Sequence, residues 1–449
     1  MHFYHSFFIK QLGWIVALLA LLLTGCGGSG NAEQNLTESE EELEDSGSDQ
    51  TASGSWQDIG ESVLAGTLSR SRLVVDDAGQ LYSLFMTSNG VHHLYKAEPH
   101  CSAAPCWASL NLEEQQDISI FGIGPGGYAG DQNIPLIGLA DGVAISFNHP
   151  DEDGWHYQRR VIGHTEQWDV LAEDLELAEG SSSLGSVHAV RAGDALVFAT
   201  ANSCGIKLHR VDGAEASVVF DGPAGFHGGG TSCDGSGGPE SWRLAATNTH
   251  LYVTYLSDGD VVLERATFDV LEGTGSVDWA EVAVLTTENG SVEGLRLAAN
   301  GSDVYLMRRL AVRHPDTGDR SFNAALFHLD DGELHPVGGV LAADNADGIY
   351  YFDLHLDSQG RPLVAWTESF TFYYSSSIPE DDGTRLYFER LEGGQWTRLG
   401  GGDISAFGDG ISRYVASAVH GTTPYIQFRG NAADGTTGRD LRVMRYVAE

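Results

Sequence analysis

The amino-acid sequence predicts an all-β protein, a ring of seven four-stranded sheets, and three observations lead to this prediction. Glycine is unusually frequent at 57 of 449 residues, which is typical of many tight turns between short strands. From residue 53 onwards one hairpin pattern recurs in seven copies, with about 52–63 residues from turn to turn, a period typical of β-propellers. The last copy lacks its fourth strand, and a segment that matches the missing strand lies near the start of the chain.

Each copy of the pattern reads as a four-stranded blade. The clearest copies begin at Arg72 and Leu354, where two strands of alternating apolar and polar residues flank a polar turn. Looser copies begin at Leu136, Val187, Trp242, Leu295 and Tyr414. A third strand with several polar residues follows in each copy, and the fourth strand is often led by tryptophan, as at Trp396. Seven copies therefore predict seven blades.

The ends of the repeat predict how the ring closes. The seventh copy stops after its third strand at residues 441–447, and residues 54–60 read like the fourth strand at residues 394–400. Because an unpaired sheet edge invites aggregation, we expect the N-terminal segment to complete the last blade and to place Trp56 close to Val443. A ring of six or eight blades and a pair of β-sandwiches are the alternatives to this architecture.

The repeat resembles bacterial propellers of the sialidase-like or WD-type class over nearly all of residues 53–449. The resemblance is one of architecture and implies the fold alone. A sialidase would also carry repeated Ser-x-Asp-x-Gly-x-Thr-Trp boxes, and their absence from the sequence argues against sialidase activity.

The N-terminus carries an export signal. An apolar run over residues 12–23 is shorter than the ~20 residues that span a bilayer. It ends in Leu-Thr-Gly-Cys at residues 23–26, which resembles the lipobox of bacterial lipoproteins. The resemblance implies cleavage before Cys26, acylation of that cysteine by chains such as palmitate, and, with Gly27 next, delivery to the outer membrane. The alternative is a secretory signal with a chance cysteine.

Three regions follow from these observations. Residues 1–25 form the signal peptide, and residues 53–449 form the propeller. Residues 26–52 contain eight acidic residues and no basic one among serine and glycine, so we expect an extended, disordered tether. The membrane is then a partner through the lipid on Cys26, and the side of the outer membrane that the body faces is left open.

The charge balance excludes one class of function. The chain has 63 acidic and 25 basic residues, a net charge of −38. A generic nucleic-acid-binding protein needs a basic surface to replace phosphate counterions, so no nucleic-acid partner is expected. The acidity favours a solubilising, salt-tolerant surface on a monomeric body.

The remaining cysteines predict two local disulfides, Cys101–Cys106 and Cys204–Cys233, in an oxidising compartment. A zinc site built from all four is disfavoured because the two pairs should lie on opposite faces of the ring. We predict no metal and no cofactor.

Blade connectivity divides the loops between two faces. The turns between first and second and between third and fourth strands share one face, here called the turn face. The loops between second and third strands and the crossings between blades share the other, the loop face. Most long segments fall on the loop face: residues 111–133, 148–155, 221–241, 308–321, 369–383 and 429–440. Long loops on a rigid ring commonly carry binding residues.

Two groups of candidate binding residues follow. Polar residues recur near the starts of the innermost strands, which line the channel: Arg72, His188, Arg243, Arg296, Asp353 and, one place earlier, Arg413. Four arginines in a base-poor chain suit a carboxylate, sulfate or phosphate, and the alternative is a solvated channel with structural ion pairs. The second group lies in a long loop and consists of Phe372, Tyr373 and Tyr374. These aromatics suit sugar or peptide recognition, and the alternative is that they only pack the loop down.

Three functional hypotheses follow from the sequence. The first is a non-enzymatic, lipid-anchored propeller of the cell envelope that binds a protein, peptide or glycan through its loop face. The second is a hydrolase or lyase acting on an anionic glycan or ester at the channel mouth, with Asp353 or His188 as acid–base group. The third is a scaffold in outer-membrane assembly that uses the blade edges. Neither a Gly-x-Ser-x-Gly elbow before a helix nor a His-Glu-x-x-His pair is present, which favours the first.

Overall fold

Seven separate β-sheets follow one another along the chain in the computed structural model. The residues that the structure describes are 51–61, 68–87, 92–101, 104–112, 135–150, 157–175, 186–193, 195–202, 205–211, 217–226, 242–267, 277–287, 290–313, 320–341, 348–368, 385–402, 404, 415–431 and 439–449. The chain divides into two units, Met1–Glu42 and Leu43–Glu449, and every described residue belongs to the second. The predicted signal peptide, Cys26 and nearly all of the tether therefore lie outside the described residues.

The strands are numbered in chain order. The first two are β1 (Thr51–Ala52) and β2 (Gly54–Asp58). Blade 1 contains β3 (Leu68–Val75), β4 (Leu81–Thr87), β5 (His92–Ala97) and β6 (Trp107–Ser109). Blade 2 contains β7 (Leu136–Gly138), β8 (Val143–Pro150), β9 (Tyr157–His164) and β10 (Trp168–Leu175). Blade 3 contains β11 (Ser186–Ala192), β12 (Ala195–Asn202), β13 (Gly205–Val211) and β14 (Ser217–Asp221).

The remaining blades continue in the same order. Blade 4 contains β15 (Trp242–Ala246), β16 (His250–Ser257), β17 (Asp260–Thr267) and β18 (Ala280–Leu285). Blade 5 contains β19 (Ser291–Asn300), β20 (Asp303–Arg313), β21 (Arg320–Asp330) and β22 (Glu333–Leu341). Blade 6 contains β23 (Ile349–Leu356), β24 (Pro362–Glu368), β25 (Arg385–Glu392) and β26 (Gln395–Leu399). Blade 7 contains β27 (Ala416–His420), β28 (Thr423–Asn431) and β29 (Arg439–Ala448), completed by β2.

The predicted seven-bladed propeller is confirmed. Within each blade consecutive strands pair antiparallel, so every blade is a four-stranded meander. The first strands form the inner ring, because each contacts the first strand of the next blade from β3 round to β27, and β27 contacts β3 again. No helix occurs among the described residues apart from isolated single-residue turns. In this part of the chain, no helix has the length and apolar character needed to cross a membrane.

The ring closes as the orphan N-terminal segment predicts. β2 pairs antiparallel with β29, with Trp56 opposite Tyr446. Beyond that pair the Ile59 amide donates a hydrogen bond to the Val443 carbonyl at 2.9 Å. The structure adds a contact that the repeat does not predict, since β1, within the segment expected to be tether, pairs in parallel with β26 of blade 6. The N-terminal segment therefore touches two blades.

Tryptophans in the fourth strands, or directly before them, link neighbouring blades. In four blades the indole N–H donates to a main-chain carbonyl at the outer edge of the preceding blade. The bonds run from Trp56 to Leu399 (3.0 Å), from Trp107 to Ile59 (3.1 Å), from Trp168 to Leu110 (2.8 Å) and from Trp279 to Asp221 (3.0 Å). The Trp56 and Trp107 rings are buried and the Trp168 and Trp279 rings partly buried, so each ring adds apolar contact, and the hydrogen bond orients the ring. The tryptophan that recurs in the sequence thus stabilises the contact between neighbouring blades.

The apolar core lies between adjacent blades rather than at the centre of the ring. The cluster around Trp56, for example, combines Phe388 of blade 6 with Phe428 and Met444 of blade 7. Alternate residues of the strands face these interfaces, as the period of two requires.

One predicted long loop is shorter in the structure, and one of the two predicted disulfides lies outside the described residues. Residues 308–321 were expected to be a long loop, but β20 continues to Arg313 and β21 begins at Arg320, because the two strands stay paired in register to that point. Of the predicted disulfides, Cys101–Cys106 is formed. Cys204 and Cys233 lie outside the described residues.

Candidate functional site

Five of the six predicted channel residues lie on inner strands. Their strands are β3 for Arg72, β11 for His188, β15 for Arg243, β19 for Arg296 and β23 for Asp353. Arg413 lies outside the described residues, as do Phe372, Tyr373 and Tyr374. The loop-face aromatic group therefore stays a prediction.

The structure brings three of these residues together and keeps two apart. The Nε atom of Arg296 lies 3.6 Å from Oδ1 of Asp353, and the charge of Arg72 also acts on that carboxylate. Arg243 instead donates from Nη1 to the carbonyl of Trp242 at 2.7 Å. The ring of His188 meets the Trp242 ring edge-on, with centroids 4.4 Å apart. Blades 5, 6 and 1 thus share one site, and blades 3 and 4 hold a separate group.

Three further residues join the Asp353 site without having been predicted. Oδ2 of Asp353 accepts hydrogen bonds from the hydroxyls of Tyr351 and Ser417, both at 3.2 Å. Nε2 of His355 lies 3.4 Å from the same oxygen. Tyr351 and His355 could have been found from the sequence, because residues two positions either side of Asp353 on a strand face the same way. Ser417 could not, because it comes from blade 7.

These six residues are called the wall cluster: Arg72, Arg296, Tyr351, Asp353, His355 and Ser417. Four blades contribute to it, namely blades 1, 5, 6 and 7. The side chain of Asp353 is 29% exposed and that of Arg296 is 13% exposed, so the cluster borders solvent while most of its atoms are shielded. Shielding from water strengthens each charge interaction in the cluster.

The carboxylate at the centre of the cluster is held ionised. Burial acts to raise the pKa of Asp353, but the interaction with His355 and the charges of Arg296 and Arg72 outweigh burial and hold that pKa well below its usual range. Asp353 therefore carries a fixed negative charge at neutral pH. A group of this kind is a poor general acid, because it has no proton to donate.

The guanidinium of Arg296 has a defined orientation. Its Cζ atom lies 4.5 Å from the centroid of the Phe352 ring, and Nη1 donates to the Leu295 carbonyl at 2.8 Å. Phe352 is 1% exposed, so the aromatic face is a rigid support. Stacking on that face and the main-chain bond together preorganise the positive charge.

The serine, histidine and aspartate of the cluster do not form a nucleophilic triad. Nε2 of His355 lies 2.8 Å from Oγ of Ser417, and the same nitrogen faces Asp353. A triad needs the carboxylate on the opposite ring nitrogen, where it fixes the tautomer that accepts the serine proton. Here the Ser417 hydroxyl also donates to Asp353. The arrangement suits binding of charge and hydroxyl groups better than acyl transfer.

The described residues contain no group of three histidine, cysteine or acidic side chains that could hold a metal ion. In the wall cluster the charges of Arg296 and Arg72 both act on the carboxylate of Asp353. Such a donor set favours an anion over a cation.

Comparison with known proteins identifies no family. No family model matches the chain, and no curated protein matches it. An α-L-arabinanase of Penicillium chrysogenum complexed with arabinobiose is 11% identical, covers 89% of this chain and 98% of its own, and has a TM-score of 0.38. The six-bladed fucose-recognising lectin of Aleuria aurantia is 12% identical, covers 86% of this chain and 93% of its own, and has a TM-score of 0.39.

A third solved structure is an α-L-arabinofuranosidase of Fusarium graminearum in complex with arabinobiose. It is 10% identical, covers 88% of this chain and 98% of its own, and has a TM-score of 0.39. Similarity at this level carries no function from one protein to another, because propellers host many unrelated activities. Function has to be argued from the wall cluster itself.

Proposed function

We propose that this protein is a cell-envelope binding protein that takes an anionic glycan, bearing carboxylate or sulfate groups, at the wall of its channel. The observation that carries the proposal is the contact of Arg296, from blade 5, with Asp353 at 3.6 Å, at a carboxylate on which the charge of Arg72, from blade 1, also acts. Among the six residues of the wall cluster, Arg72 and Arg296 carry positive charge and Asp353 carries the negative charge. The cluster thus keeps attraction for a further anion.

The surrounding charge makes such a site selective. The chain as a whole has a net charge of −38, so anions are repelled from most of the surface. A basic site that is partly shielded from water has a stronger positive electrostatic potential at the point where the ligand binds. Guanidinium groups suit carboxylate and sulfate because each presents paired N–H donors.

The neutral groups of the cluster point to a glycan rather than a simple ion. Tyr351 and Ser417 supply hydroxyls close to Asp353, and hydroxyl groups exchange hydrogen bonds readily with sugar hydroxyls. A few polar groups that converge on one point are typical of small-ligand recognition.

The test compares galacturonate with galactose, which differ in the carboxylate. We expect galacturonate to bind at least about tenfold more tightly, since hydrogen bonds to charged groups contribute about 1.5–3 kcal/mol. Calorimetric titration of an Arg72→Ser, Arg296→Ser double variant should show that this preference is lost. Arg265→Ser is the matched control, because Arg265 is exposed on β17 of blade 4. Equal binding of both sugars by the native protein would contradict the proposal.

A hydrolase or lyase is the second candidate, favoured by the imidazole of His355 within the cluster. Asp353 is disfavoured as the acid–base group by its fixed ionisation, so His355 is the residue placed to accept a proton. Turnover of an acidic oligosaccharide that His355→Gln abolishes, with binding retained, would favour the enzyme. Binding without turnover favours the first proposal.

The scaffold hypothesis receives less support from the outer strands. β22 contains Pro336, and the pairing of β10, β18 and β22 is interrupted by register shifts. Proline and irregular pairing are devices that stop a sheet edge from adding another strand. The outer edges of blades 2, 4 and 5 are therefore poor surfaces for strand addition.

Anchoring to the outer membrane through Cys26 completes the proposal. It is supported by the lipobox-like sequence at residues 23–26. Metabolic labelling with a palmitate analogue should label the native protein and not Cys26→Ala. A native protein that carries no label and leaves the membrane fraction without detergent would contradict anchoring.

A further inference from the structure

The imidazole of His355 meets two oxygen atoms through the same ring nitrogen. Its Nε2 atom lies 2.8 Å from Oγ of Ser417 and 3.4 Å from Oδ2 of Asp353. The Ser417 hydroxyl lies 3.2 Å from that carboxylate oxygen and donates to it. Because a neutral imidazole has one N–H and one lone pair on its two nitrogens, these contacts decide which nitrogen of His355 carries the proton.

The carboxylate fixes the direction of the hydrogen bonds in this group. Since Asp353 is held ionised, it only accepts, and the hydroxyls of Tyr351 and Ser417 both donate to its Oδ2 atom. With its own proton committed, the Ser417 oxygen presents a lone pair to His355, and only an N–H at Nε2 pairs with it. A neutral ring with its proton on Nδ1 would instead turn the Nε2 lone pair towards two oxygen lone pairs, which is unfavourable where water is partly excluded.

The second ring nitrogen of His355 is consequently the acceptor of the imidazole. Within the part of the chain that the structure describes, Nδ1 makes no hydrogen bond, and 23% of the side chain is exposed. The hydrogen bond made by one imidazole nitrogen sets the protonation of the other. Nδ1 therefore keeps a lone pair for a partner that comes from solvent.

The other polar groups of the wall cluster have the complementary chemistry. Arg72 and Arg296 carry only N–H donors, which suit the acidic group of a ligand. The hydroxyl protons of the cluster are already donated to the carboxylate. The wall cluster therefore combines donors for an anion with one nitrogen acceptor, Nδ1 of His355, for a hydroxyl proton.

We propose that Nδ1 of His355 accepts a hydrogen bond from a hydroxyl group of the ligand, so that the site selects a hydroxylated acid, such as a uronic acid, over an acid without hydroxyl groups. This rests on the proposed function of the wall cluster. The guanidinium groups bind the acidic group, and His355 recognises a hydroxyl group of the same molecule. Asp353 is a positioning residue, because it fixes the proton on Nε2 through Ser417.

The first test measures the protonation of the ring directly and needs no ligand. Nitrogen NMR spectra of protein with isotope-labelled histidine, at about pH 8, distinguish a proton on Nε2, a proton on Nδ1 and a doubly protonated ring. The His355 signals are those missing from the spectrum of His355→Gln. We expect a protonated Nε2 and an unprotonated Nδ1. A proton on Nδ1, in either of the other two forms, would overturn the inference.

The second test compares galacturonate with tetrahydropyran-2-carboxylate, which has the same ring and carboxylate but no hydroxyl groups. We expect the native protein to bind galacturonate at least about fivefold more tightly, the size of one hydrogen bond between neutral groups. In calorimetric titration His355→Gln should bind the two acids with affinities within about twofold of each other. Its affinity for tetrahydropyran-2-carboxylate should be unchanged, because glutamine replaces the Nε2 donor and leaves no acceptor at the Nδ1 position. His335→Gln is the matched control, since the side chain of His335 is 53% exposed on β22 of blade 5.

The outcomes separate this inference from the proposed function. A preference for galacturonate that His355→Gln keeps would overturn the role of His355 and leave the proposed function intact. Equal loss of affinity for both acids in His355→Gln, with an unchanged melting temperature, would also overturn it, because the residue would then support the binding of the carboxylate. No measurable binding of either acid by the native protein at low salt would contradict the proposed function itself.

Discussion

The indole N–H of Trp56 donates a hydrogen bond to the carbonyl of Leu399 at 3.0 Å, across 343 positions of the chain. Trp56 lies on the strand that completes blade 7, and Leu399 ends the outer strand of blade 6. Its ring also packs near Phe388 and Tyr446, with centroids 5.7 and 5.6 Å away. Trp56 therefore lies on the strand that closes the ring and also holds blade 7 to blade 6.

Trp56→Ala should destabilise the protein by about 3–5 kcal/mol, because a large buried ring between two blades is lost. The measurement is the free energy of unfolding from urea denaturation. Trp168→Ala is the control, since Trp168 makes the equivalent bond to Leu110 but is only partly buried. A smaller loss for Trp56→Ala than for the control would mean that closure does not depend on this ring.

Arg442→Ala should weaken the pairing of β2 with β29. Nη2 of Arg442 lies 2.8 and 2.6 Å from the two carboxylate oxygens of Asp58, and Arg442 itself is 6% exposed. Hydrogen bonds to charged groups contribute about 1.5–3 kcal/mol, so a loss of that size is expected in the unfolding free energy. Arg191→Ala, which removes the exposed pair with Asp77, should cost only about 0–1 kcal/mol. Equal losses in both variants would contradict this assignment.

Replacing Cys101 and Cys106 by serine should loosen the seam between blades 7 and 1. The disulfide joins residues 5 positions apart, and a loop this short is worth about 2 kcal/mol in the chain-entropy account. The Cys106 amide donates to both carboxylate oxygens of Glu61, at 3.0 and 3.2 Å. We therefore expect a lower melting temperature together with faster proteolysis near Glu61. Unchanged proteolysis there would show that the disulfide acts on its own turn only.

Asp353→Asn should change stability in a way that depends on pH. The folded-state pKa of Asp353 is depressed, so its carboxylate contributes stability above the unfolded-state pKa, ~3.9, and the contribution is lost as pH falls through the folded-state pKa. The variant should be less stable by about 1.5–3 kcal/mol at pH 7. That difference should stay constant down to about pH 5 and narrow below about pH 4.

The measurement for Asp353→Asn is urea unfolding across that pH range. Asp331→Asn is the control, because Asp331 is exposed in a turn with φ of 48°, a conformation that asparagine tolerates. Disappearance of the Asp353→Asn difference already between pH 7 and pH 5 would show that the carboxyl is not held ionised.

The sequence alone determined the architecture of the described propeller. Seven copies of a period-two hairpin predict seven blades, and the orphan strand around Trp56 predicts the pairing with β29. These features are predictable because a strand's alternation and a short turn are local properties. The Cys101–Cys106 disulfide follows for the same reason, since its partners are 5 positions apart.

The tertiary structure decided which candidate residues act together. Arg72, Arg243, Arg296 and Asp353 look equivalent in the sequence, yet Arg243 turns to Trp242 while Arg296 reaches Asp353. Ser417 joins the site from blade 7. Contacts between blades depend on the stagger and twist with which neighbouring sheets pack, and these are set by side chains far apart in the chain. The sequence pattern of one blade therefore does not show which residues of the other blades its side chains contact.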